Sequence, residues 1–152
     1  MFIQAKNISK VIKNNTILNN VKVSLNENNI YGLLGPNGAG KTSLFSILSG
    51  LNQPSKGEIY FDSFKVNELN FEERSNLGII YLPQEPSVFR ELTVKQNILA
   101  ALEAKKSNKL DKKIILEKIS LEFNLENILL QKCDTLSGGQ RRRVEIARAV
   151  AL

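Results

Sequence analysis

Hydrophobic residues alternate with polar ones from Phe2 to Ile8 and again from Ile17 to Leu25, which predicts strands with one buried face. Amide-rich breaks at Asn14-Asn15 and from Asn26 to Asn29 separate them, because short side-chain amides favour turns. The next run, Ile30-Tyr31-Gly32-Leu33-Leu34, is apolar throughout and stops at Gly35, the pattern of a buried strand feeding a turn. Spacing then becomes helical at Leu44, Ile47 and Leu48, with Gly50 where a helix would stop. Strand, glycine-rich turn and helix are thus consecutive. Beyond the Pro54 to Gly57 turn, Glu58 to Asp62 reads as a strand and Glu68 to Asn76 as a short polar helix. Leu77 to Leu82 follows as a second buried strand closed by Pro83.

The remainder is helical. Thr93 with Gln96 three residues later forms a capping-box pattern ahead of Val94, Ile98, Leu99 and Leu102. Asp111 is placed to cap a helix carrying Ile115, Ile119 and Phe123. Ser137 and Gln140 repeat the box before a helix whose apolar side is Val144, Ala147 and Val150/Ala151. The expected architecture is α/β first and α afterwards.

Length and composition narrow the chemistry. At 152 residues the chain fits one domain with a core large enough to need no staple. No apolar run approaches the roughly 20 residues that cross a bilayer, and the first residues lack the features of a signal peptide, so a cytoplasmic location is expected. Cys133 is the only cysteine, which excludes an intrachain disulfide, and with no histidine at all no imidazole base or His-ligated metal is available. The net charge of +6 is compatible with anionic partners, but its densest run, Arg141-Arg142-Arg143, lies in a helical pattern, and nucleic acid is not expected.

Two motifs carry the chemistry. Gly35-Pro36-Asn37-Gly38-Ala39-Gly40-Lys41-Thr42 satisfies the phosphate-loop pattern in its required setting, after an apolar strand and before a helix. Its glycines let successive N–H groups turn inward around phosphates, the helix start adds partial positive charge, and Lys41 reaches the β/γ-phosphates. Thr42 offers a hydroxyl to Mg²⁺ and Ser43 is placed for the α-phosphate, so ATP with Mg²⁺ is the expected ligand. Leu136-Ser137-Gly138-Gly139-Gln140 is a helix start stripped of side chains. Ser137 can cap the helix or turn outward, and Gly138 and Gly139 leave N–H groups open to an anion. Alone, this segment is equally a Gly-rich capped helix.

Together, these motifs resemble the Walker A loop and signature loop of the ATP-binding cassette (ABC) ATPases. The resemblance implies an α/β phosphate-loop core with a β-rich amino-terminal region and a helical signature subdomain, incomplete at the carboxyl end. It divides the chain into a core through residue 85, a helical subdomain over 86–136 and the signature helix over 137–152. It also implies a homodimer, in which the signature loop of one copy covers the γ-phosphate held by the phosphate loop of the other. Gln84 matches the family's Q-loop, which approaches Mg²⁺ and the attacking water. The segments Gly78 to Val94 and Gly139 to Ala149 are similar to the ATPases that power lipopolysaccharide export. By that similarity, Phe89 and Arg90 would line the groove that receives a helix of the transmembrane permease subunits on the cytoplasmic face of the inner membrane.

Two departures qualify the match. Ile12 stands where the family carries an aromatic residue on adenine, and such stacking is typically worth ~1–3 kcal/mol. The family also continues, past the position of Leu152, with a strand ending in a Mg²⁺-binding Asp, a catalytic Glu and a switch His. The expectation is therefore that these residues alone hydrolyse ATP poorly, since losing a general base typically forfeits about 10²–10⁴ in rate. Asp62, at the end of Ile59-Tyr60-Phe61, imitates the strand-end Asp but reads as a turn residue. Rival readings are an ABC ATPase for another substrate, such as amino acids or drugs, and a nucleotide-binding module without catalysis.

Overall fold

The computed structural model of the chain describes residues 1–104 and 109–151. They fall into two compact units, Met1–Ile79 and Ile80–Leu152.

In the first unit, strands β1 (Ile3–Ile12), β2 (Asn15–Leu25), β3 (Lys56–Phe61) and β4 (Phe64–Lys65) form an antiparallel sheet in the order β2-β1-β3-β4. The β1–β2 hairpin closes through Lys13 and Asn14, both at positive φ, the geometry whose twist matches a two-residue hairpin loop. Ala5 and Ile8 are both buried although three residues apart, which strict alternation forbids. The register shift between them, at Asn7 with φ 53°, moves the side chains by one position and returns Ile8 to the core. Helix α1 (Lys41–Ser49) buries Leu44, Ile47 and Leu48 in the same core as Ala5, Ile8, Ile59 and Phe61. It ends at Gly50, whose N–H donates to the Ile47 carbonyl.

Helix α2 (Phe71–Asn76) starts later than its composition predicts, at a capping box between Asn70 and Glu73. Its Arg74 is fully buried, and the guanidinium donates to the Ile47 (2.7 Å), Leu48 (3.0 Å), Leu69 (3.1 Å) and Asn67 (3.4 Å) carbonyls. Two of those acceptors belong to the last turn of α1, where the helix dipole favours a cation. Burial pulls the Arg74 pKa below its ordinary value. Asp62 sits in the β3–β4 turn at φ 53° and accepts the Phe2 N–H at 2.7 Å.

The second unit packs helices α3 (Val94–Ala104), α4 (Lys109–Glu122) and α5 (Gly138–Ala151) around Val94, Ile98, Leu102, Leu116, Ile119, Leu125, Val144 and Ala147. A short 3₁₀ turn spans Glu126–Ile128. Both predicted capping boxes form: Thr93 and Gln96 exchange bonds of 2.8 and 3.2 Å, and Ser137 and Gln140 bonds of 2.8 and 3.3 Å. Asp111 lies in the first turn of α4 rather than at its cap, because the helix already begins at Lys109.

The expected strands at Ile30 to Leu34 and Leu77 to Leu82 do not form. Ile30 and Leu34 are exposed, and residues 79–83 run outside any ladder. A strand is made by its neighbour's hydrogen bonds, and the described residues contain no strand paired with either run. Among the described residues no helix is long and apolar enough to cross a membrane.

Candidate functional site

The phosphate-loop residues lie in the first unit. Gly35 to Ala39 are exposed, and the loop turns into α1 at Gly40, which stands in the left-handed region with φ 85°. A Cβ there would lie 2.7 Å from Leu18 Cδ2 and 2.8 Å from the Ile17 carbonyl, so glycine alone allows β2 to approach the loop this closely. No side chain caps α1, and its first turn presents N–H groups with no intrahelical acceptor. Lys41 folds back across the loop, its Nζ donating to the Gly35 carbonyl at 2.8 Å and the Pro36 carbonyl at 2.7 Å. The ammonium is thereby stationed above the same turn as the open amides. Thr42 is exposed beside it, its carbonyl taken by Ser46 Oγ at 2.8 Å, and Ser43 is half-buried. Ile12 is 48% exposed at the hairpin end of β1, paired with Asn15.

Within the second unit, Gln84 is exposed in the irregular segment after Pro83. It lines a cavity of about 260 Å³ with Gly138, Arg90, Arg141 and Arg142. The structure thus brings together two residues that the sequence places in separate motifs. Ser137, Gly138 and Gly139 are exposed at the start of α5. Of the two roles open to Ser137, the structure shows the cap, with its Oγ accepting the Gln140 N–H while Gln140 Oε1 accepts the Ser137 N–H. A Cβ added at Gly138 or Gly139 would meet nothing within 4 Å, and neither has a left-handed φ. Neither glycine is demanded by packing or by backbone conformation. A side chain would fit at either position, so what these glycines add is open space at the start of α5.

Phe89 is half exposed, with the Arg148 guanidinium 4.5 Å above its ring. Asn97, fully buried, holds it from behind: Oδ1 accepts the Phe89 N–H and Nδ2 donates to the Phe89 carbonyl, both at 2.9 Å. Asn97 Nδ2 also lies 3.2 Å from Cys133 Sγ, and burial pushes the Cys133 thiol pKa up. Asn97, Glu145 and Arg148 were not singled out in the sequence. Their signal was a polar or charged residue within an apolar helical stripe, Glu145 falling directly after Val144 and Arg148 directly after Ala147.

Comparisons with known proteins place the chain in a family. The ABC transporter family pattern matches residues 18–152. The chain is 43% identical over 148 residues to the lipopolysaccharide export system ATP-binding protein LptB of Haemophilus influenzae, covering 97% of this chain and 61% of that protein. It is 39% identical over 148 residues to LptB of Escherichia coli K12, with the same coverage of 97% and 61%. The chain therefore spans about three-fifths of the length of these relatives. The ATP-binding cassette MJ1267 in its ADP conformation superposes with a TM-score of 0.86 at 27% identity, over 99% of this chain and 64% of that one. A dimeric post-hydrolysis state of the cassette MJ0796 bound to ADP and Pi gives 0.82 at 29% identity, over 98% and 69%. On the family pattern and the matching fold, the chain belongs to the ABC transporter family and has the architecture of its ATP-binding cassettes.

Proposed function

We propose that this chain forms the nucleotide-binding part of an ABC transporter ATPase that powers lipopolysaccharide export. The observation that carries the nucleotide reading is Lys41, held by the Gly35 and Pro36 carbonyls over a turn whose helix amides have no side-chain cap. A cation and several convergent N–H groups at a helix start bind a polyphosphate. Gly35 to Ser43 would hold the phosphates of ATP, with an aliphatic contact from Ile12 to the base.

Mg²⁺ fits the donor set as an ion that arrives with the nucleotide. The exposed Thr42 hydroxyl is a hard oxygen ligand, and Mg²⁺ would complete its shell with phosphate oxygens, water and, as the family resemblance implies, the Gln84 amide oxygen. Among the described residues no group of three or more His, Cys, Asp or Glu side chains could hold the metal by itself. When bound, the ion would neutralise charge on the transferred phosphoryl group. Gln84 would orient the attacking water, since an amide at neutral pH positions a nucleophile without taking its proton.

The exposed amides of Ser137 to Gly139 would close on the nucleotide of a second copy, making the working unit a homodimer. Two features support this: the glycines there serve no packing purpose in their own chain, and the dimeric MJ0796 cassette is a structural relative. Phe89 and Arg90 would face the transmembrane permease subunits at the cytoplasmic side of the membrane. The lipopolysaccharide substrate rests on the identity to LptB proteins.

Titrating Mg-ATP into the chain and into its Lys41→Ala variant tests the nucleotide reading. Loss of a charge-assisted bond weakens binding by roughly tenfold or more; equal affinities would remove Lys41 from the site.

A further inference from the structure

Segment 83–87 has no regular structure, yet its main chain is held at three points by one helix. Arg142 Nη1 donates to the Pro83 carbonyl at 3.1 Å. Glu145 Oε1 accepts the Ser87 N–H at 2.8 Å, and Arg148 Nη1 donates to the Ser87 carbonyl. Both backbone groups of Ser87 are thus taken by α5, from residues 58 and 61 positions away. The three side chains follow one another at intervals of three, on one face of the helix. They are also joined to each other, since Arg142 donates to Glu145 Oε2 at 2.9 Å. Glu145 is the centre of this arrangement, a carboxylate only 4% exposed that receives a backbone amide on one oxygen and a guanidinium on the other. Removing it leaves the Ser87 N–H without its acceptor and frees Arg142 from the helix face.

We infer that Glu145, with Arg142 and Arg148, is a positioning residue that ties the Gln84-bearing segment to the helix beginning at Gly138, so that the two move as one body. The contacts go to main-chain atoms, so they fix the path of the segment whatever its side chains are, leaving the Gln84 side chain free to contact other groups. Gly138 lies one helical turn before Arg142, and a displacement of the helix start is carried to Pro83 and Ser87 through bonds rather than through loose packing. For the role of Gln84 this inference rests on the proposed function; the mechanical link does not.

The test is made without nucleotide, so that its failure counts against the link alone, whereas a chain that binds no ATP counts against the proposed function alone. A nitroxide is placed at Gln84→Cys, the native Cys133 being fully buried and unlabelled, and amide exchange is read at Ser87, Val144 and Ala147. In Glu145→Ala the nitroxide becomes mobile and Ser87 exchanges about tenfold faster or more, while Val144 and Ala147 keep their rates. Glu145→Gln, which retains an acceptor for the Ser87 N–H, restores most of both signals. Unchanged signals in Glu145→Ala overturn the inference. So does a Ser87 rate that rises only together with those of Val144 and Ala147, or a glutamine that restores nothing. Should Glu145→Ala fail to fold, Arg148→Ala, which removes the partner of the Ser87 carbonyl, decides by the same two readouts.

Discussion

Replacing Gly139 with alanine separates a glycine kept for folding from a glycine kept for a ligand. The residue lies in the first turn of α5, its φ is not left-handed, and a Cβ would find no atom within 4 Å. Alanine therefore introduces no clash. It narrows the unfolded chain's conformational freedom, which at a compatible site stabilises by about 0.4–1 kcal/mol. For a chain of this size that corresponds to a rise of roughly 1–4 °C in melting temperature. The same methyl group would stand over the amides proposed to meet the partner's nucleotide. A gain in stability should therefore accompany a loss of nucleotide-dependent dimerisation of about tenfold or more, the effect of about 1.4 kcal/mol. Urea unfolding at constant slope measures the first quantity and sedimentation velocity with and without Mg-ATP the second. A variant less stable than the parent would show that the fold needs Gly139, and a more stable variant that still dimerises normally would show that the ligand does not. Gly40→Ala is the internal contrast, since its Cβ would meet the Ile17 carbonyl at 2.8 Å and must destabilise.

Two further outcomes are expected. Arg74→Met leaves the Leu48 carbonyl without its donor and the Ile47 carbonyl with only the Gly50 N–H, and should cost about 1–3 kcal/mol in chemical denaturation; an unchanged midpoint would refute a stabilising role for these bonds. Cys133, buried and with its thiol pKa raised, should resist alkylation at neutral pH, at a rate that mass spectrometry finds to follow unfolding; rapid alkylation of the folded chain would contradict its placement.

What the sequence reveals is the part of the structure held by local bonds. The capping boxes at Thr93 and Ser137 close over three residues, and both were readable because donor and acceptor sit within one turn. The phosphate loop was readable for the same reason, its glycine spacing being a demand of the turn itself. The alternation over β1 and β2 was visible because their sheet buries one face, though not the Asn7 shift, which periodicity without a partner strand cannot locate. Ile30 to Leu34 misled because an apolar run records what a segment would bury, whereas a strand also requires a neighbour. Arg74, Glu145 and Arg148 were hidden by distance: Arg74 reaches carbonyls 26 and 27 residues away, Glu145 an amide 58 residues away and Arg148 a carbonyl 61 residues away. No local pattern encodes such bonds.

In the proposed dimer, one copy's phosphate loop and the other copy's glycine helix start hold the same nucleotide. Mixing two disabled chains tests it directly, one carrying Lys41→Ala and the other Gly139→Trp, whose Cβ meets nothing within 4 Å in its own chain. Each variant alone should fail to dimerise on addition of Mg-ATP. Their equimolar mixture should recover dimers holding a single nucleotide, because only a mixed pair joins an intact loop to an intact helix start. A mixture as inert as its components would contradict the claim.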